Sequence, residues 1–286
     1  MPELPEVETV CQGLNHLTCG QTIRGGEVLL KRTLAYPFSI TEFLDNLTNV
    51  TIDRWQRRGK YLLGHVKKPS GDSGGWLGVH LRMTGQLLWV NRQDPLSTHT
   101  RLRLFCGDSQ ELRFVDIRTF GKVWWVPPTH TPENIIPTLA KLGPEPLSTD
   151  FSLNYLIKTL KTRQRPIKTL LLDQEMVAGI GNIYADEALF KSGIRPTTMA
   201  RTLSPDQLER LRLAIVEVLE TAIAQGGTTF SDFRGVTGIN GNYGGMAWVY
   251  GRTNKPCRIC QTPIERLKLG GRSAHFCPQC QKNYEL

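Results

Sequence analysis

Two Cys-x2-Cys pairs near the C-terminus, Cys257-Arg258-Ile259-Cys260 and Cys277-Pro278-Gln279-Cys280, stand sixteen residues apart. No other feature constrains the fold as much. Each pair fits a tight knuckle, and a hairpin between them brings four thiolates to one tetrahedral Zn2+. The binding free energy of such an ion is also folding free energy, so a short unit with almost no core can stand on it. Two disulfides are the alternative, but nothing else in the chain looks secreted, and a reducing compartment favours thiolate and metal. From Arg252 to Lys282 the segment carries seven Lys/Arg against one acid, Glu265, a balance of +6 that becomes +4 with Zn2+ and four thiolates. A compact basic hairpin of this kind suits a polyanion. Arg272 falls in Gly270-Gly271-Arg272-Ser273 between the pairs, and is expected on a flexible tip.

Composition agrees with that partner. The 286 residues carry 35 Lys+Arg against 26 Asp+Glu, net +9 with pI near 9.3, which favours nucleic acid or another acidic surface. No run of eighteen apolar residues occurs, and the opening Met-Pro-Glu-Leu-Pro-Glu is acidic where a signal peptide is basic and then apolar. A soluble, cytoplasmic, nucleoid-associated protein with no membrane partner is expected. The remaining cysteines, Cys11, Cys19 and Cys106, are odd in number and read as reduced thiols.

Pro5 followed by Val7, Val10, Cys11, Leu14 and Leu17, with Gly20 beyond, predicts a buried amphipathic helix. Glu3, Glu6 and Glu8 cluster at its positive end, where the helix dipole favours carboxylates. Between 22 and 126, partly alternating runs predict strands over 23–30, 50–55, 61–66, 76–83, 86–90, 101–105, 111–115 and 122–126, with one short helix over 41–47. Eight strands in so short a span argue a sandwich or barrel. Residues 67–75 read as a hairpin loop. The proline-punctuated stretch 127–150 reads as a linker, after which the period turns helical. Helices are expected over 155–160, 167–172 and 183–191, the last fed by a Gly-bearing turn at 177–182. Ser204-Pro205-Asp206-Gln207 is a capping-box start for a long helix ending near Gly226-Gly227. Residues 228–247 read as a mobile loop. The fold class is α+β multidomain: an N-terminal β-sandwich over 1–126, the linker, a helical domain with its loop over 151–247, and a zinc hairpin over 248–286.

If Met1 is removed, Pro2 presents a secondary α-amine, and an α-amino group has a substantial neutral fraction near neutral pH. Such an amine attacks a sugar C1′ or a carbonyl and forms an iminium. Glu3 is adjacent and can protonate a departing group or an opening sugar ring. On spacing alone, the favoured reading is that Pro2 and Pro5 simply stiffen the entry to the helix.

The segment Pro2-Glu3-Leu4-Pro5-Glu6-Val7-Glu8-Thr9 closely resembles the start of formamidopyrimidine-DNA glycosylases, bacterial enzymes that excise oxidised purines such as 8-oxoguanine. The similarity recurs in order through Arg58-Gly59-Lys60-Tyr61-Leu62, His80-Leu81-Arg82-Met83-Thr84-Gly85, Asp116-Ile117-Arg118-Thr119-Phe120-Gly121, Leu142-Gly143-Pro144-Glu145-Pro146-Leu147, Gly179-Ile180-Gly181-Asn182-Ile183-Tyr184, Gly226-Gly227-Thr228-Thr229, Val249-Tyr250-Gly251-Arg252 and the cysteine tail. It implies a helix-two-turn-helix domain, one structural Zn2+ on Cys257, Cys260, Cys277 and Cys280, and damaged double-stranded DNA held by a monomer in a basic cleft between the domains. By the same resemblance Pro2 is the Schiff-base nucleophile and Glu3 the general acid. Lys60 and Arg272 contact the lesion phosphates and assist β- and δ-elimination.

Met83, Arg118 and Phe120 would form the wedge that fills the hole left by a flipped nucleotide. His99 and Asn182 correspond to positions that bind the DNA backbone, and the loop 228–247 to the segment covering the flipped base. Three departures bear on phosphate contacts: Thr119 where a second arginine is common, Arg101 where some members carry histidine, and Gln164 where a lysine is expected, flanked by Arg163 and Arg165. The resulting reading is a bifunctional glycosylase and AP lyase of base excision repair. Its rivals are an endonuclease VIII-like enzyme for oxidised pyrimidines and a zinc-ribbon DNA-binding protein without chemistry.

Overall fold

A computed structural model describes residues 1–228, 235–236 and 241–282. The chain forms two compact units, Met1–Ala140 with Gln225–Asn242, and Lys141–Ala224 with Tyr243–Leu286.

The first unit opens on α1 (Leu4–Thr18), followed by β1 (Ile23–Val28), β2 (Leu34–Tyr36), α2 (Ile40–Leu47), β3 (Thr51–Arg58), β4 (Tyr61–Lys67), β5 (Ser73–His80), β6 (Gly85–Asn91), β7 (Thr100–Cys106), β8 (Gln110–Asp116) and β9 (Lys122–Val126). The strands make two sheets, ordered β1-β7-β8-β6 and β2-β9-β5-β4-β3. Side chains of both meet in one core: Leu62, Val66, Leu77, Val79, Val123 and Trp125 from one sheet, Leu87, Leu102, Leu104, Leu112 and Phe114 from the other, with Val7, Val10 and Leu14 of α1. The sandwich expected from alternation is therefore present.

The first helix is pinned at its far end. Asn15 acts as a strand neighbour to β3, donating to the Trp55 carbonyl at 2.9 Å and accepting the Trp55 N–H at 2.8 Å, and the Trp55 indole donates to Thr18.

Several expectations need correction. Residues 67–75 are not all loop: Ser73, Gly74 and Gly75 open β5, and Gly75 takes φ +94° where a Cβ would lie 2.1 Å from the Val126 carbonyl, a conformation open to glycine. The strand expected over 76–83 ends at His80, because Arg82 turns to φ +55° and Gly85 N–H closes the turn on the Leu81 carbonyl. The short parallel pairing of β2 with β9 has no counterpart among the expected strands; three residues carry too little periodicity to announce a strand. Much of the expected linker is folded: α3 (Pro132–Ile135) and α4 (Pro137–Ala140) bury Ile136 and Leu139, and Gly143 and Pro144 bond to the second unit's turn at Gln174 and Ala178.

The second unit holds α5 (Leu153–Leu160), α6 (Ile167–Leu171), α7 (Asn182–Lys191), α8 (Pro205–Ala224) and the hairpin β10 (Glu265–Leu269) with β11 (Arg272–Phe276). The capping box before α8 forms as its residues predict, with Gln207 N–H on Ser204 Oγ and Ser204 N–H on Gln207 Oε1. Nearly all of α7 is buried, including Asp186 and Glu187, so two acids lie where a helix would ordinarily carry apolar side chains.

Candidate active site and nucleic-acid interface

The N-terminal segment is held rather than frayed, which is unusual for a chain end. Met1 is 38% exposed, whereas Pro2 is buried and Glu3 is 3% exposed at the N-cap of α1. Glu6, one turn in, accepts the Glu3 N–H at 2.8 Å with one carboxylate oxygen and the Thr228 N–H at 2.8 Å with the other. The positive end of the helix favours both bonds. Gly227 must be glycine here, since a Cβ would lie 2.9 Å from Glu6 Oε1 and its φ is +78°.

Thr228 bridges Asn242, so the ends of the segment expected to be a mobile loop are clasped together. Val236 is buried, with Gly13 against it and its carbonyl accepting the Trp89 N–H at 3.0 Å. Where it is described, that stretch is packed rather than loose. Residues 229–234 and 237–240 of the expected lesion-covering loop lie outside the described residues.

Lys60 is only 7% exposed and follows Gly59, whose φ of +55° makes the β3–β4 turn. Arg57 fastens this turn to α1: its Nε bonds Glu8 at 2.7 Å and its Nη1 the Gly59 carbonyl at 3.1 Å. One helix therefore supports both the N-terminal pair and the lysine turn.

Beside Lys60 lies His80, which pairs with Tyr61 across β4 and β5. Its Nδ1 accepts the Arg82 N–H at 3.0 Å, so the neutral ring carries its proton on Nε2. Burial first, then the Arg82 and Lys60 cations, pull its pKa from 6.5 down to about 3. The unfolded chain therefore takes a proton below pH 6.5 while the folded chain resists to about 3, and stability is lost as pH falls through that window, at up to about 1.4 kcal/mol per unit. His80→Gln should remove this contribution. The check is the difference in urea midpoint between pH about 7.5 and pH about 5, which should shrink in the variant; an undiminished difference would refute the assignment.

Met83, Arg118 and Phe120 are brought together by two turns laced to one buried acid. Thr84 Oγ1 donates to Asp116 Oδ1 at 2.5 Å and accepts the Arg118 N–H at 3.0 Å, while Gly121 N–H reaches Asp116 Oδ2 at 2.7 Å. The Arg118 guanidinium lies over the Phe120 ring, 4.9 Å from its centre, and Phe120 is 50% exposed. An apolar chain, a planar cation and a presented ring share this end of the sandwich. His99 is placed by its neighbours: its carbonyl accepts the Asp116 N–H, its Nδ1 accepts from Arg101 at 3.2 Å, and Arg101 Nε bonds the Asp116 carbonyl. The imidazole's second nitrogen is then the donor available to a ligand. Arg101 thus has a structural task at the position where it departs from the family pattern.

In the second unit Arg163 and Gln164 are exposed between α5 and α6. Asn182 opens α7 and donates to Ser273 Oγ at 3.3 Å, while its buried Oδ1 has no partner among the described residues. Arg272 is exposed and is the first residue of β11, opposite Leu269. The turn is Gly270-Gly271 with both φ positive, a two-residue form suited to a tight hairpin, so Arg272 rests on a registered strand and not on a loose tip.

Sequence reasoning missed what anchors that strand. Asp186 accepts the backbone N–H of His275 and meets its Nδ1, both at 3.0 Å. Lys168 pairs with Asp186 at 2.6 Å and donates to the Ser273 carbonyl, both charged groups being essentially inaccessible. Next to it, Glu187 accepts the N–H groups of Trp248, Val249 and Tyr250 at 2.7 to 3.0 Å. Burial pushes this carboxyl up, against the pull of those three donors. The available signal was an Asp-Glu pair inside an apolar helix.

The four cysteine sulfurs all lie within 4.8 Å of one another, with Cys257–Cys280 at 3.9 Å and Cys260–Cys277 at 3.4 Å. Such separations are far too long for disulfides and close to the edge of about 3.8 Å in a zinc–thiolate tetrahedron. Ile259 N–H points at Cys257 Sγ and Cys280 N–H at Cys277 Sγ, the outer contacts that orient thiolate ligands. The site fits one structural Zn2+. It is less coreless than expected: Phe190 of α7, Val249 and Ile264 pack with Cys257 and Cys277, and Trp248 stacks on Phe190.

Three family models match the chain in order: Formamidopyrimidine-DNA glycosylase N-terminal domain over 1–123, Formamidopyrimidine-DNA glycosylase H2TH domain over 142–234, and Zinc finger found in FPG and IleRS over 254–283. The formamidopyrimidine-DNA glycosylase of Rippkaea orientalis is 72% identical over 281 residues, covering 98% of this chain and 100% of its own. Among solved structures, wild-type Lactococcus lactis Fpg with DNA containing N7-benzyl-Fapy-dG has a TM-score of 0.88 at 34% identity, covering 99% of this chain and 100% of that one. The same Lactococcus lactis protein with DNA containing an oxidised pyrimidine gives the same TM-score, identity and coverage.

Proposed function

The chain belongs to the formamidopyrimidine-DNA glycosylase family, and from that premise we propose that the amine of Pro2, freed of Met1, carries its chemistry. The protein is a DNA glycosylase of base excision repair with AP lyase activity. One observation supports the assignment of roles above the others: Pro2 and Glu3 are buried, and the Glu3 N–H is tied to Glu6, while Met1 is exposed. A fixed nucleophile can be held in attack geometry, which a frayed terminus cannot.

In the proposed course the Pro2 nitrogen attacks C1′ of the damaged nucleotide and the bond from C1′ to the base breaks. Glu3 supplies a proton to the departing base or to O4′ as the ring opens, leaving an iminium between Pro2 and the sugar. Loss of a C2′ proton then expels the 3′ phosphate, and a second elimination expels the 5′ phosphate. Lys60 and Arg272 carry the charge of those phosphates. Water finally hydrolyses the iminium and restores the amine. Met83, Arg118 and Phe120 occupy the stack vacated by the flipped nucleotide, and His99, Asn182, Arg163 and Gln164 hold the backbone. Zn2+ has no part in the reaction; when bound it folds the hairpin that carries Arg272. The protein acts as a monomer on damaged duplex DNA in nucleoid-associated cytoplasm.

The substrate class is oxidised purine, 8-oxoguanine and formamidopyrimidine. A relative crystallised on an oxidised pyrimidine makes rate rather than binding the deciding quantity. Single-turnover excision from otherwise identical duplexes should be at least about tenfold faster for 8-oxoguanine than for thymine glycol, a difference of about 1.4 kcal/mol in barrier. Faster excision of the pyrimidine would favour the endonuclease VIII-like reading. No excision of either lesion would leave only the DNA-binding rival.

A further inference from the structure

The turn Lys31–Thr33 lies directly ahead of β2, which pairs in parallel with β9. Lys122, at the start of β9, donates to the Arg32 carbonyl. This fastens the turn beside the 117–120 loop that presents Arg118 and Phe120. The Arg32 guanidinium in turn donates to Thr119 Oγ1. Thr119 has φ +57°, a left-handed conformation in which a β-branched residue is an outlier, so the loop holds a strained residue whose hydroxyl orients an arginine. Strain of that kind is retained where the surroundings use it.

Charge points to what the arginine meets. Arg32 and Arg118 are exposed, and among the described residues neither they nor Lys122 and Arg82 have a carboxylate partner. Arg32, with Lys122 bonded to its carbonyl, and Arg118 and Arg82, on the two turns that Thr84 joins, repel one another unless a polyanion covers them. We propose that Arg32 is a DNA-binding residue, delivered by Thr119 to a backbone phosphate of the duplex alongside the wedge. It is a phosphate contact and reads no base. This rests on the reading of 82–84 and 117–120 as the wedge.

Binding to a duplex with a tetrahydrofuran abasic analogue, followed by anisotropy over a range of NaCl concentrations, tests it. Arg32→Gln should reduce the slope of log K against log salt by about 0.9, the value for one phosphate contact. It should also weaken damaged and undamaged duplex by a common factor. Thr119→Val, which keeps the shape and removes the hydroxyl, should weaken binding less, and Arg32→Gln combined with Thr119→Arg should restore the slope. An unchanged slope in Arg32→Gln overturns the proposal whether or not affinity falls, because loss of affinity at constant slope means a packing role. Borohydride trapping of the unaltered protein on 8-oxoguanine duplex runs alongside. Absence of that adduct sinks the glycosylase mechanism itself, while an adduct with an unchanged slope sinks only the role of Arg32.

Discussion

Inserting one glutamine between Met1 and Pro2 is expected to abolish borohydride trapping on 8-oxoguanine duplex while leaving affinity for the abasic analogue within about threefold, under 1 kcal/mol. Methionine is removed ahead of a small residue and kept ahead of glutamine, so Pro2 enters a tertiary amide. Its nitrogen lone pair is then delocalised into the carbonyl and no longer attacks carbon. Glu3→Gln separates the second role: it leaves the amine in place and should lower single-turnover excision by about 10²–10⁴, the range for a general acid. Intact mass verifies each terminus, and gel-resolved adduct reports the covalent step. If the extended protein still traps, and trapping disappears on Lys60→Gln, the nucleophile is the buried lysine of the β3–β4 turn and Pro2 only stiffens the entry to α1.

What the sequence made legible follows the range of the forces involved. β7 lies within a residue of its expected bounds because Leu102 and Leu104 alternate with Arg101 and Arg103, and β9 matches its bounds as a short apolar run, buried from Val123 to Val126, between Gly121 and Pro127. The capping box at Ser204 and the cysteine tetrad are local chemistry and could be read directly. Contacts closed over long separations left no such trace. Glu6 meets Thr228 at 222 residues' remove, and the 225–242 stretch accordingly belongs with the first unit, although it follows α8 in the chain. Lys168, Asp186 and His275 look unrelated in sequence, yet they fasten the strand beginning at Arg272. Met83, Arg118 and Phe120 stand out in the sequence through resemblance alone. The bond from Thr84 to Asp116 that laces their two turns together closes over 32 residues and leaves no local mark.

Zinc removal should weaken DNA binding severely and unfold the chain from one end. Structural zinc in small fingers is worth about 10–16 kcal/mol, comparable with or larger than the whole stability of a typical domain, about 5–15 kcal/mol. Without the ion the sulfurs take up protons and nothing holds the four of them within 4.8 Å of one another, so the knuckles should open. The loss then spreads to α7. Asp186 gives up both donors from His275, Lys168 gives up the Ser273 carbonyl, and Phe190 is stripped of Ile264 and the cysteines. Glu187 would be left desolvated wherever the 248–250 N–H groups withdraw, and an unpaired buried charge costs several kcal/mol. The sandwich core, built from its own strands and α1, should be indifferent. Hydrogen exchange after chelation should therefore show lost protection over 243–282, partial loss in α7, and none in β4, β5 and β9. Affinity for the abasic duplex should fall by at least about a hundredfold, near 2.7 kcal/mol, through loss of the phosphate contact proposed for Arg272. Full affinity in protein verified metal-free would overturn this, showing that the hairpin either keeps its fold without the ion or carries no DNA contact.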